Sequence, residues 1–179
     1  MNKFFKRTWA EVYLDRLENN LNVCRSFLKG NTEIMAVVKA NAYGHGDNAV
    51  APFLQEQGVK WFAVSNTCEA LHLRNYGISG NILILGYVLP EEVKILCDND
   101  IIQAVTSLDH AQQLSKKVPD GKSLRVHIKI DTGMGRIGLR HENVSEYADE
   151  IIKIIAVEGI SVEGIFTHLS VADSDDKDD

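Results

Sequence analysis

Residues 34–46 read IMAVVKANAYGHG, an apolar run that ends in a single lysine and turns at once through small residues, a tyrosine and two glycines. With side chains alternating along an extended chain, Met35, Val37 and Lys39 share one face and Ile34, Ala36 and Val38 the other. Helical spacing follows over 47–57. The stretch reads as a strand, a tight turn and a helix, and this unit decides the fold because its rhythm recurs along the chain.

Strands are expected at 61–65 (WFAVS), 81–86 (NILILG), 101–106 (IIQAVT), 124–131 (LRVHIKID) and 162–168 (VEGIFTH), with helices near 67–76, 90–98, 108–117 and 142–157. Upstream, TWAEVYLD (8–15) alternates like a strand, and RLENNLNVCRSFL (16–28) spaces Leu17, Leu21, Cys24 and Leu28 along one helical face. The class is α/β. Six successive βα strands suit either an open doubly wound sheet or most of a (β/α)8 TIM-type barrel. No G-x-G-x-x-G follows the first strand, which removes the main support for a dinucleotide-binding sheet. A barrel would be incomplete, about two βα units short of eight. No linker or low-complexity tract divides the chain, so residues 1–179 read as one domain, with 1–30 an N-terminal strand and helix and 31–179 the βα units.

With 45% hydrophobic residues over 179 positions the chain can bury a real core. A net charge of −6 argues against a nucleic-acid footprint and favours small-molecule chemistry. Cys24, Cys68 and Cys97 are odd in number and in no C-x-x-C pair, so neither a disulfide framework nor a zinc site is expected and a reducing, cytoplasmic setting fits. No window suggests a signal h-region or a membrane span. The terminal HLSVADSDDKDD reads as a solvated acidic tail or as the truncation of a longer chain, with a metal chelate the weaker reading, and no metal is expected.

Three places carry chemistry. Lys39 ends a strand, where β/α folds collect catalytic side chains and where desolvation makes an amine nucleophilic; the alternative is a strand-end lysine reaching solvent. In residues 124–138, LRVHIKIDTGMGRIG, Leu124, Val126, Ile128 and Ile130 form a greasy face, and Arg125, His127, Lys129 and Asp131 an ionisable one. On an edge strand that face would be solvated; on an interior strand it would line a polar cavity, with the loop delivering Arg136 to an anion. His168 ends the last strand, where a lone histidine is more often a satisfied or surface residue. Lys39, Arg136 and His168 nevertheless converge on the C-terminal rim of the same fold.

AVVKANAYGHG (36–46), HIKIDTGMGRIGL (127–139) and FTHLSVAD (166–173), together with the opening RTWAEVYLDRLENNLN (7–22), resemble the N-terminal barrel of alanine racemases, fold-type III enzymes that use pyridoxal 5′-phosphate. The resemblance implies that Lys39 forms the internal aldimine and is one of two catalytic bases. It implies that Tyr43 hydrogen-bonds the cofactor phosphate and that His168 packs on the pyridine ring. Arg136 would sit beside the cofactor phenol and the substrate carboxylate, held by Lys129, the lysine often carbamylated in the family. It implies a homodimer, because the second base is a tyrosine from the partner's C-terminal β domain, and a role in D-alanine supply for peptidoglycan. That tyrosine, the arginine on the pyridine nitrogen, most of the phosphate loop and the C-terminal domain have no counterpart in these 179 residues. Weak or absent turnover is therefore expected of this chain, and turnover comparable to a full-length homologue would overturn that. Two open strand edges also imply self-association. The alternatives are a serine or broad-specificity racemase, a non-catalytic pyridoxal-phosphate-binding barrel, and an inert fragment.

Overall fold

Parallel strands need a crossover of a dozen or more residues between them, usually a helix, and the chain supplies one after nearly every apolar run. The computed structural model describes residues 9–172. Its strands are β1 (Met35–Val37), β2 (Trp61–Val64), β3 (Asn81–Ile84), β4 (Ile101–Val105), β5 (Leu124–Ile130) and β6 (Ile160–Thr167). All pair in parallel in a single sheet of order β1-β2-β3-β4-β5-β6. A doubly wound sheet must reverse its strand order at a switch point. An uninterrupted sequential order is barrel winding, so the fold is an incomplete β/α barrel with β1 and β6 as its two edges.

The helices are α1 (Leu14–Phe27), a short turn α2 (Lys39–Tyr43), α3 (Asp47–Glu56), α4 (Thr67–Asn75), α5 (Val93–Asp98, after a 3-10 turn at Pro90–Glu92), α6 (Leu108–Ser115) and α7 (Val144–Ile155). Two start on side-chain caps: Asn66 accepts the Glu69 N–H and Ser107 the His110 N–H. The strand face towards the helices buries Phe62, Ile84, Ile101 and Val126 against Leu54, Leu73, Leu96 and Leu114. The other face buries Ala63, Leu83, Ile102 and Ala104, which fill the barrel's interior. Truncating one such large side chain, as in Phe62→Ala, costs about 3–5 kcal/mol.

One expected element is corrected. Residues 9–13 form no strand, and Leu14 already opens α1; Thr8 lies outside the described residues. The alternation of Trp9, Glu11 and Tyr13 is satisfied locally instead, since Trp9 Nε1 and the Tyr13 hydroxyl both donate to the Glu11 carboxylate at 2.9 and 2.7 Å. No described strand runs beside this segment, and an isolated strand leaves its backbone groups without partners. The acidic run from Asp173 onward also lies outside the described residues. Among the described residues no helix is long and apolar enough to cross a membrane.

Candidate active site

The C-terminal ends of the strands open into a cleft of about 530 Å³, within the range of small-molecule sites. Lys39 and Tyr43 enter it from α2, Ser65 from the end of β2, Leu85 and Gly86 from the end of β3, and Phe166 and His168 from the end of β6. Lys129 rises from β5, and Met134 and Arg136 descend from the loop that follows.

The turn at Lys39 is unusual. Ala40, Asn41, Ala42 and Tyr43 all have φ between 51° and 56°, a left-handed run of four non-glycine residues. Such a conformation costs roughly 1–2 kcal/mol per residue, so surrounding contacts must determine it. The Ala42 N–H donates to the Val38 carbonyl at 2.9 Å, and the Gly44, His45 and Gly46 N–H groups donate back into residues 40–42. The Asn41 side chain then accepts the Asp47 N–H at 2.9 Å and so starts α3. The run reverses the chain within one turn and leaves Lys39 Nζ 6.0 Å from the centroid of the Tyr43 ring.

On β5 the interior reading holds, because the strand lies between β4 and β6 and its ionisable row faces inward. At the bottom, Arg125 donates from Nε to both Glu163 oxygens (2.9 and 3.0 Å) and also to Asp100 and Asn81. His127 is buried beside the Trp61 ring, and its Nε2 has no hydrogen-bond partner among the described residues. Lys129 is buried too; its Nζ donates to the Ile130 carbonyl at 2.6 Å and lies 5.7 Å from the Phe166 ring centroid. Burial pushes its amine below the ordinary lysine range, the nearby Arg136 pushes the same way, and Asp131 opposes them.

Asp131 organises the loop that carries Arg136. Its Oδ1 accepts the Gly133 and Gly135 N–H groups, each at 3.0 Å, and these bonds hold its carboxyl below the usual range. The chain then returns: Leu139 N donates to the Lys129 carbonyl, and Asp131 N donates to the Leu139 carbonyl, both at 2.9 Å. The Thr167 hydroxyl bonds the Ile130 carbonyl at 2.9 Å and Thr132 Oγ1 at 2.7 Å, tying the end of β6 to the same loop.

The five residues expected to hold cofactor or substrate, Lys39, Tyr43, Lys129, Arg136 and His168, border this one cleft, whereas Arg125, His127 and Asp131 of the ionisable row do not line it. Sequence reasoning missed Ser65, Leu85 and Gly86, although each lies in the last two positions of an expected strand, and it missed Glu69, which bonds the amide next to Lys39. The charge pattern is one-sided: among the described residues the lining includes Lys39, Lys129 and Arg136 and no carboxylate, in a protein whose net charge is −6. Such a site favours an anionic ligand.

The family model described as "Alanine racemase, N-terminal domain" matches residues 12–179. Alanine racemase 1 of Caldanaerobacter subterraneus subsp. tengcongensis is 41% identical over 172 residues, covering 96% of this chain and 44% of the relative. The alanine racemase of Methanococcus maripaludis is 44% identical over 170 residues, covering 94% and 45%. Among solved structures, alanine racemase of Clostridium difficile 630 superposes with a TM-score of 0.88 at 40% identity, covering 96% of this chain and 45% of that one. A histidine racemase from Leuconostoc mesenteroides subsp. sake reaches a TM-score of 0.83 at 27% identity, covering 90% and 43%. The chain thus spans less than half the length of these relatives. Matched over nearly its whole length in sequence and in fold, the chain belongs to the alanine racemase N-terminal domain family.

Proposed function

We propose that this chain is the pyridoxal 5′-phosphate-binding part of an amino-acid racemase that interconverts L- and D-alanine. The observation that carries the reading is the convergence of one lysine amine, one phenol and two further cations on a cleft whose described lining holds no carboxylate. That donor set fits the cofactor, which pairs an aldehyde with a phosphate. Pyridoxal phosphate, when bound, supplies a conjugated sink that spreads the charge left when the substrate's Cα proton departs.

The chain's own residues then divide the work. Lys39 would take the cofactor's aldehyde carbon and, once displaced by substrate, hold and return the Cα proton on one face. Tyr43 would direct its hydroxyl to the phosphate, and His168 would pack against the ring. Arg136 would meet the cofactor's phenolic oxygen and the substrate carboxylate. Lys129 would support Arg136, and a carbamate on Lys129 would turn like-charge repulsion into a bidentate pair. Exchange on the opposite face would need a second base, which this reading assigns to another subunit.

The reading of alanine as substrate is supported by the names of the relatives. A 40% identical amino-acid racemase of Enterococcus faecalis and the histidine racemase neighbour support testing larger side chains. We also infer self-association, supported by the free edges of β1 and β6 and by exposed Ile152, Ile155 and Ile165.

The deciding experiment is incubation with pyridoxal 5′-phosphate, borohydride reduction and peptide mass spectrometry. A pyridoxyl group confined to Lys39 and lost in Lys39→Ala is expected. Labels scattered over exposed lysines would overturn the reading.

A further inference from the structure

Glu69 lies in the first turn of α4, outside the row of side chains that lines the cleft. Its carboxylate nevertheless joins two of the strand ends that build the site. Oε1 accepts the Ala40 N–H at 2.9 Å, while Oε2 accepts the Ser65 N–H and the Ser65 hydroxyl, both at 2.7 Å. Ala40 follows Lys39 directly and is the first residue of the left-handed run. The Ala42, Gly44, His45 and Gly46 N–H groups find backbone carbonyls, but that of Ala40 goes to Glu69. The entry to the run, the point at which the lysine leaves β1, is therefore held by a side chain from another element.

Glu69 is itself well placed to stay fixed and charged. Its N–H donates to the Asn66 cap at 3.0 Å, and a carboxylate near a helix N-terminus is favoured by the helix dipole. Burial opposes its ionisation, but the bonds from Ser65 and Ala40 and the charge of Lys39 together hold its carboxyl below the usual range.

We propose that Glu69 is a positioning residue for Lys39: by gripping the Ala40 amide and Ser65 at once, it fixes the backbone from which the Lys39 amine enters the cleft. The inference rests on the reading of Lys39 as the amine that takes the cofactor's aldehyde. It explains how four strained residues persist at the site's most exacting point, since the first two residues of the run are held from outside, Ala40 by Glu69 and Asn41 by the Asp47 N–H of α3, while its far end closes on its own backbone through the Gly44 N–H. It also explains the choice of glutamate. An aspartate is one methylene shorter, and a glutamine has only one accepting oxygen, so whichever way its amide turns, an N–H of the protein meets an N–H of the side chain.

The test compares Glu69→Gln and Glu69→Ala with Glu33→Gln. Glu33 is a carboxylate that accepts from Lys60 and Trp61 ahead of β1 and takes no part in the cleft. Two readouts are taken on the 179-residue chain. Amide hydrogen exchange, run without any cofactor, is expected to speed up about tenfold or more at Ala40 and Ser65 in both Glu69 variants, and to stay as in the parent in Glu33→Gln. Reduction with borohydride after pyridoxal 5′-phosphate is expected to show the share of label at Lys39, relative to all lysines, falling at least about fivefold in Glu69→Gln, with far-UV circular dichroism retained. Unchanged protection at Ala40 together with an unchanged Lys39 share in Glu69→Gln would overturn the proposal. If the parent chain itself shows no preference for Lys39, the cofactor reading fails instead, and the exchange arm alone then supports or overturns the anchoring by Glu69.

Discussion

Gly138 lies against the backbone of Lys129: a Cβ at position 138 would stand 2.9 Å from the Lys129 carbonyl oxygen and 2.9 Å from the Asp131 nitrogen. These are the two groups that Leu139 bonds in order to fold the Arg136 loop back onto β5. Gly138 also has φ +123°, where side chains other than hydrogen are strained.

Gly138→Ala is therefore expected to destabilise the chain by about 3 kcal/mol, measured by urea unfolding. Gly121→Ala serves as comparison, because Gly121 has φ +73° and a methyl there would meet nothing within 4 Å, so the change should cost only about 1 kcal/mol. The excess at position 138 measures the close approach. Equal losses in the two variants would show that the loop yields without cost.

Acid should weaken the fold well before the carboxylates titrate. Burial pushes the imidazoles of His127 and His110 below their ordinary 6.5, against partial compensation from Glu163 at His127 and from the Val88 carbonyl at His110. Both stay neutral in the fold at a pH where the unfolded chain takes up protons. Their contribution is thus complete above pH 6.5 and is lost as pH falls from there towards their lower folded values. The urea midpoint is expected to drop between pH 7.5 and 5.5, and His127→Leu is expected to remove part of that slope. An unchanged slope would mean that His127 takes no part in it and that other groups carry the acid sensitivity.

How much of this was legible beforehand differs from element to element. The six strands were, because each is an apolar run set off by helical spacing, and burial on two faces leaves a strong mark on composition. The strand expected at 8–15 failed because alternation reports only that two faces differ, and a strand exists only where a neighbour accepts its backbone. At the site, Lys39, Arg136 and His168 could be placed because strand C-termini converge in a β/α fold, and Lys129 because it belongs to the ionisable face of the fifth strand. The left-handed run and its clamp could not. Glu69 acts through a bond to residue 40 across 29 positions, and the glycines after it hide that the strained residues are Ala40 to Tyr43.

The exposed apolar side chains on the β6 side predict association. Val144, Ile152 and Ile155 stand exposed on α7 and Ile165 on the free edge strand, so a partner surface would bury several residues worth roughly 1.5–3 kcal/mol each. Sedimentation velocity should show a concentration-dependent oligomer, and the double variant Ile152→Glu with Ile165→Glu should shift it to monomer. A single monomeric species of the parent chain at all concentrations would contradict the inferred association.

Lys129 offers a chemical prediction of the same site. A carbamate forms when a neutral amine attacks carbon dioxide and releases a proton, so an amine that burial pushes below the ordinary lysine range reacts at lower pH than a surface lysine. Lys129 has that environment, with the Ile130 carbonyl as its acceptor and Arg136 as a nearby cation that a new anion would neutralise. Incubation with ¹³C-bicarbonate near pH 8 should give one protected carbamate resonance that Lys129→Ala abolishes and Arg136→Ala weakens. Because protonation competes with carbamylation, the resonance should fade on acidification. Its survival in Lys129→Ala would place the modification elsewhere, and its absence from the parent chain would leave Lys129 supporting Arg136 only through the geometry of the loop.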